Sequence, residues 1–324
     1  MSFSVDSLKI DPAVETERIV RALRENVHQV MRRKGGVVGV SGGVDSSVVL
    51  ALAVRAFGAD RVIAVIMPEK DSDPETEKFA RLVADHCDVE TVLEDITPAL
   101  DGFGCYRRRD EAIKRLFPEY DPVSGYKAKI VLPQNVLDED TLNIFYLTVV
   151  TPEGQEKSKR LPVREYLQIV AASNFKQRTR MAMLYHHAEL RAYAVIGTAN
   201  KNEHDQGFFV KHGDGGVDIQ PIAHLYKTQV YQLADYLDVP ESIRQRPPTT
   251  DTYSAPSTQE EFFFRLPFNV MDVLWYAQEN DIPVHEAARA MDLEDIQVQR
   301  AYNDFIKKHR TTEYLRLLTV FLKD

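Results

Sequence analysis

The stretch that most limits what this chain can fold into is residues 37–57. Val37-Val38-Gly39-Val40 is a short apolar run and reads as a buried strand. Ser41-Gly42-Gly43-Val44-Asp45-Ser46-Ser47 follows at once, and Ser47 to Phe57 reads as a helix rich in valine and leucine. A glycine pair between strand and helix allows a sharp turn and a close approach of main chain to an anion. The N–H groups of the first helical turn are unpaired and point toward that anion. Ser41, Ser46 and Ser47 add hydroxyl donors, so the segment is a cradle for phosphate. It lacks the lysine of a GxxxxGK[ST] loop, and the spacing of Gly39, Gly42 and Gly43 does not fit GxGxxG.

Asp45 is unusual in such a cradle. A carboxylate beside phosphates is repelled unless a cation lies between them, and Mg²⁺ takes carboxylate and phosphate oxygens together. The plainer alternative is that Asp45 only caps the helix.

The surrounding pattern is α/β. Val20, Leu23, Val27 and Val30 predict a helix over 14–33. Strands are expected at 62–67 and 89–93 with a helix at 74–87 between them, an alternation that builds parallel, right-handed βαβ units. The pattern resumes near Pro162, with a helix at 176–190, a strand at 193–196 and a helix at 226–237. Between them, 127–132, 143–150 and 155–161 read as strands of a small β-rich insertion. Arg246-Pro247-Pro248 opens a loop to about Gln259, and helices follow at 283–291 and 294–308. The expected fold is an open parallel sheet flanked by helices. Residues 1–100 and 162–251 form its core and 101–161 the insertion. Residues 252–324 form a helical C-terminal region that packs on the core or on a dimer partner. Phe262, Phe263, Phe264, Phe268, Trp275 and Tyr276 need burial, in a core or at a subunit interface.

Composition excludes several classes. The 324 residues are 44% apolar and 27% charged, with 40 basic against 49 acidic side chains, so nothing suggests a nucleic-acid-binding face. Arg107-Arg108-Arg109 and Lys157 to Arg160 are short basic runs that read as solvated surface. Cys87 and Cys105 are the only cysteines, too few for a disulfide framework and not in a metal spacing. With no signal-peptide core and no apolar run of spanning length, a cytoplasmic location is expected.

SGGVDSS resembles the signature of the N-type ATP pyrophosphatases, which share an adenine-nucleotide alpha-hydrolase-like fold and activate a carboxylate or carbonyl oxygen as an adenylate. Four further segments resemble the NAD synthetase family, ammonia-dependent type. They are Asn174 to Met181, Gly197 to Glu203, Phe209 to Asp218, and Pro221 through Val230 on to Asp251. The resemblance implies ATP and Mg²⁺ as co-substrate and cofactor. It places Gly39, Ser41, Gly42, Gly43, Val44, Asp45, Ser46, Ser47, Arg178, Thr198, Lys227 and Thr249 at the ATP site, with Arg178 at the start of a helix. Asp45 and Glu203 would hold the metal, and Asp45, Glu203 and Lys227 would carry catalysis. Tyr185, Lys211, Asp214, Asp218 and Asp251 would meet the dinucleotide, although Tyr185, among Met181, Met183 and Leu184, also suits simple packing. The residue chemistry points the same way. Glu203 and Asp45 each lie just past the carboxyl end of a strand, where open sheets bind ligands. Lys227 sits at a helix start, where a cation calls for an anionic partner.

The implied reaction is ATP-dependent amidation of nicotinic acid adenine dinucleotide through an acyl-adenylate, releasing AMP and pyrophosphate. No fused glutaminase domain is expected, so the nitrogen comes from free ammonia or a separate glutaminase. The resemblance also implies a homodimer. It weakens at 101–170, which is longer than in compact members, at His212, where tyrosine is usual, and over 252–268. An amidoligase acting on another carboxylate, and a regulatory protein that merely keeps the nucleotide site, therefore stay open.

Overall fold

The computed structural model describes residues 3–132, 136–139, 144–250 and 252–322. Helix α1 (Pro12–Arg24) starts with proline at its first position and is capped by the Asp11 carboxylate, which accepts from the N–H groups of Ala13 and Val14. The chain winds on through a wider π-type turn, Glu25–Val30. That turn breaks the three-four spacing: Leu23 and Val27 are fully buried, whereas Val30 is 68% exposed.

Strand β1 (Gly36–Gly39) leads into α2 (Val44–Phe57), β2 (Val62–Ile66), α3 (Pro74–His86) and β3 (Glu90–Leu93). Helices α4 (Thr97–Gly102) and α5 (Cys105–Leu116) precede three short strands, β4 (Lys127–Val131), β5 (Tyr146–Val150) and β6 (Glu156–Arg160). Then come α6 (Val163–Arg191), β7 (Ala194–Ile196), α7 (Lys201–Gln206), α8 (Lys227–Tyr236) and α9 (Glu241–Arg244). The chain closes with α10 (Phe268–Glu279), α11 (Val284–Met291), α12 (Asp295–Thr311) and α13 (Glu313–Arg316).

The main sheet is parallel, in the order β3-β2-β1-β7. Alternate residues face opposite layers. Val38, Ala64, Ile66 and Ile196 pack with residues of α1, α2 and α8. Val37, Ile63, Val65 and Val195 pack with Leu100, Tyr106 and Leu184 from α4, α5 and α6. Both faces are covered, which is why the strands read as unbroken apolar runs. Strands β2 and β3 lie to one side of β1 and β7 to the other, so the chain leaves β1 and β7 in diverging directions. A crevice opens between their carboxyl ends.

Strands β4, β5 and β6 form an antiparallel sheet. Ala128, Ile130, Leu147 and Val149 bury one face against Ile113 of α5, Phe117 at its end and Ile169 of α6. On the other face the hydroxyls of Thr148 and Ser158 bond at 2.7 Å. All five residues of β6 are exposed, and its lysines discourage further pairing at that edge.

Two sequence expectations are corrected, and a third, left open between core and interface, is decided. Arg109 is not solvated: it is 2% exposed and pairs with Asp71 and Asp110. The partner Asp71 is 38 residues away, beyond any local pattern. Helix α6 begins at Val163, not near 176, because nothing after Pro162 interrupts it; Arg178 therefore lies mid-helix. The C-terminal aromatics Phe264, Phe268 and Trp275 are buried in a core of their own with Leu274 and Phe305, so burial within the chain accounts for them. Among the described residues no helix is long and apolar enough to cross a membrane.

Gly42 has φ +69°, and a Cβ there would come within 2.5 Å of the Phe79 Cβ. Gly42→Ala is expected to lower stability in urea unfolding by at least about 1–2 kcal/mol, the cost of the left-handed backbone alone. Leu147 is 1% exposed at the centre of the small sheet. Leu147→Ala is expected to cost about 2–5 kcal/mol in the same measurement.

Candidate active site

The crevice holds a cleft of about 820 Å³. One wall is the turn after β1. No side chain caps α2, so the first-turn N–H groups remain available to an anion. Ser41, Gly43, Val44, Asp45 and Ser46 line the cleft, as does Gly39. The hydroxyls are used inside the turn: Ser46 Oγ and Ser47 Oγ both donate to the Gly43 carbonyl, at 3.1 and 2.8 Å. Ser47 is fully buried, and neither it nor Gly42 lines the cleft. Their part is to shape the turn, while its main chain faces the space.

Asp45, Glu203 and Lys227 meet at the cleft floor. Lys227, the first residue of α8, is completely buried, and its ammonium pairs with Asp45 Oδ2. Asn200 links the two carboxylates: its Nδ2 donates to Asp45 Oδ1 at 3.2 Å, and its main-chain N–H to Glu203 Oε2 at 3.2 Å. The second bond belongs to a capping box, since Asn200 Oδ1 accepts from the Glu203 N–H in return. Gln259 Nε2 donates to Glu203 Oε1 at 3.1 Å.

The charges are strongly coupled. Burial, and then the negative charge of Asp45, push Glu203 up to about 8. Burial works against the Lys227 charge, but Asp45 and Glu203 outweigh it and its pKa rises. Burial also raises Asp214 to about 6; its Oδ1 accepts the Val210 N–H at 2.7 Å. Glu203 therefore favours its neutral form while the cleft is empty, and its ionised form, which leaves two carboxylates against one ammonium, is the one a divalent cation would stabilise. Among the described residues no group of three or more His, Cys, Asp or Glu could form a cage. Two carboxylates, with phosphate and water completing the shell, are what Mg²⁺ commonly takes.

The cleft also gathers Arg178, Thr198, Lys211, Asp214 and Thr249. Arg178 Nε donates to the Lys211 carbonyl at 3.3 Å, and Lys211 Nζ donates to the carbonyls of Tyr314 and Leu317 at 3.0 and 2.8 Å. Tyr185 and Asp218 do not line it. The Tyr185 hydroxyl donates to Asp218 Oδ1 at 3.0 Å, and Asp218 Oδ2 accepts the Val195 N–H at 2.8 Å, beside β7. Asp251 lies outside the described residues.

Sequence reasoning passed over Asn200, Arg180, Lys176 and Gln259. Asn200 had a local signal, the Asn-x-x-Glu capping box. Arg180 lines the cleft one turn from Gln177, with Nε donating to the Met67 carbonyl at 3.3 Å. Lys176 is 1% exposed and pairs with Glu69 and Asp71 at 2.8 Å each, while the Tyr106 hydroxyl donates to Glu69 Oε2 at 2.7 Å. This buried network stiffens the wall after β2, and its partners are too far apart in sequence to be read together.

Comparison with known proteins identifies the family. Residues 15–115 and 136–315 match the NAD synthase family. The NH(3)-dependent NAD(+) synthetase of Rhizobium meliloti (strain 1021) is 52% identical over 97% of this chain and 93% of its own length. That of Thermotoga neapolitana is 39% identical over 82% of this chain and 84% of its own. Among solved structures, the NH3-dependent NAD synthetase of Campylobacter jejuni superposes with TM-score 0.62 at 22% identity, covering 97% of this chain and all of the other. The NMN synthetase of Francisella tularensis gives 0.61 at 21%, covering 98% and 100%. With the phosphate-binding turn, the paired carboxylates and this match across most of its length, the chain belongs to the NAD synthase family.

Proposed function

We propose that this chain is an ammonia-dependent NAD synthetase: it uses ATP to convert the nicotinate carboxylate of nicotinic acid adenine dinucleotide to the amide of NAD. The observation that carries the reading is the meeting of Asp45, Glu203 and Lys227 beside the uncapped first turn of α2. Relatives about half identical over nearly the whole chain, each named as an NH(3)-dependent NAD(+) synthetase, support this substrate over another carboxylate and catalysis over a regulatory role.

In this reading the carboxylate oxygen attacks the α-phosphorus of ATP and pyrophosphate leaves. Ammonia then attacks the acyl carbon of the adenylate, AMP departs and the amide nitrogen loses its extra proton. No side-chain nucleophile is required. The N–H groups of residues 44–46 and the Lys227 ammonium meet the charge that builds on the leaving pyrophosphate, where stabilisation accelerates the step. Arg178, Thr198 and Thr249 orient the nucleotide, and Lys211 and Asp214 face the dinucleotide. Asp45 and Glu203 would hold Mg²⁺, which when bound screens the carboxylates from the phosphates and polarises the phosphoryl oxygens. The side-chain pairing of Tyr185 with Asp218 favours a supporting role at the substrate's edge. The nitrogen donor is free ammonia or the product of a separate glutaminase.

The same reading makes the enzyme a cytoplasmic homodimer. The free thiols Cys87 and Cys105 suit a reducing compartment. Largely exposed Leu318, Val320, Phe321 and Leu322 are side chains that a second copy would cover.

Incubation with the dinucleotide, ATP, Mg²⁺ and ammonium is expected to yield NAD, AMP and pyrophosphate in equal amounts, with glutamine a poor substitute. Failure to release AMP with this dinucleotide, alongside release with another carboxylate, would overturn the substrate. Asp45→Asn is expected to abolish substrate-dependent exchange of labelled pyrophosphate into ATP, and wild-type exchange in that variant would refute the electrostatic reading. Lys227→Met is expected to lower kcat by about 10²–10³-fold, the usual cost of losing one preorganised charge-stabilising donor.

A further inference from the structure

Two parts of the chain that are far apart in sequence meet in space beside the cleft. The NAD synthase family match skips residues 116–135, which contain β4. Residues 252–268, inside the family match, contain the segment that covers the edge of that strand. The Ala255 N–H donates to the Ala128 carbonyl at 3.1 Å, the Ala128 N–H to Ser254 Oγ at 3.0 Å, and the Leu132 N–H to the Glu261 carbonyl at 3.1 Å. Tyr253 is buried in the core of the small sheet and touches the Phe262 ring edge-on, with centroids 5.4 Å apart. The edge of β4 is thus closed by the chain that leads into the cleft.

Gln259 lies in the middle of this segment. Its main-chain N–H donates to the Pro248 carbonyl at 3.0 Å, and the Thr250 N–H donates to the Ser257 carbonyl at 3.0 Å. Thr249 and Thr258 form an antiparallel bridge, so Thr249 and Gln259 reach the cleft together. Glu203 has one oxygen fixed by Asn200 on its own helix. The other is fixed by Gln259, 56 residues away. Gln259 Oε1 is buried and has no hydrogen-bond partner among the described residues. A buried amide carbonyl without a donor is costly unless something supplies one, and a hard oxygen on the amide that holds Glu203 suits a cation or a water bound to it.

We propose that Gln259 is a positioning residue for the divalent-cation site: it fixes the Glu203 carboxyl through its amide N–H, keeps its carbonyl for the cation's shell, and is itself held in place by the edge of β4. The inference rests on the reading of Glu203 as a metal ligand. The insertion then acts as a clamp on the active-site loop. The interaction is specific to an amide. Glutamate there would put a third carboxylate against Glu203, and a shorter side chain would not reach.

The test uses Mn²⁺ in place of Mg²⁺, with a non-hydrolysable ATP analogue and the full-length protein, and reads Mn²⁺ affinity by electron paramagnetic resonance. Gln259→Met keeps the volume and removes both polar groups. It is expected to weaken Mn²⁺ binding by about 10-fold or more, the usual effect of losing an outer partner of a metal ligand. It is also expected to lower kcat while leaving KM for the dinucleotide unchanged. Wild-type Mn²⁺ affinity in Gln259→Met would overturn the proposal. Glu203→Gln separates the two readings. If it loses Mn²⁺ affinity while Gln259→Met does not, only the positioning role fails. If it binds Mn²⁺ as wild type does, the ligand assignment fails first. Ala255→Pro removes one N–H from the β4 edge without touching the cleft. It is expected to weaken Mn²⁺ binding in the same direction, and wild-type affinity there would overturn the insertion's part.

Discussion

A buried ammonium held by two half-buried carboxylates sets the terms for the rest of this molecule. Lys227 is wholly inside the protein and would lose its charge there without Asp45 and Glu203; Glu203 in turn is pushed toward its neutral form by burial and by Asp45. The three groups come from the ends of different βα units. They meet only because β1 and β7 are neighbours in a parallel sheet whose connections run outward on either side. The sheet exists to hold these strand ends in register, and the apolar layers on both faces make that register rigid.

The phosphate-binding turn follows the same economy. Its hydroxyls and its left-handed glycine are spent on holding the turn against α3, which leaves main-chain N–H groups as the surface offered to an anion. Fixed N–H dipoles need no reorganisation as charge moves onto pyrophosphate, whereas serine hydroxyls free to rotate would. The buried network of Glu69, Asp71, Tyr106, Arg109 and Lys176 does for the opposite wall what Asn200 does for the floor: it fixes polar side chains by satisfying them.

Much of this was legible from residue order. The apolar run ending at Val40, the glycine pair and the following helix specify a strand–turn–helix unit almost without tertiary help, because strand period, glycine conformation and helix start agree. The first two strands of the small sheet were readable from their β-branched residues, and the third from the turn Thr151-Pro152-Glu153-Gly154 that sends the chain back. The long α6 was read short because sequence periodicity weakens where both faces of a helix are covered, by the sheet at one end and the insertion at the other.

Local patterning therefore settled most kinds of element, their order and the strand–turn–helix unit at 36–57, since these depend on interactions a few residues apart. It also nominated Asp45, Glu203 and Lys227 as chemistry-bearing groups. Which polar groups touch was left to tertiary structure. The pairing of Lys227 with Asp45, the burial of Arg109 on Asp71 and the reach of Gln259 to Glu203 join residues tens to nearly two hundred positions apart. A hydrogen bond or ion pair acts over a few ångströms, and nothing in the local chain records which distant side chain the fold will bring that close.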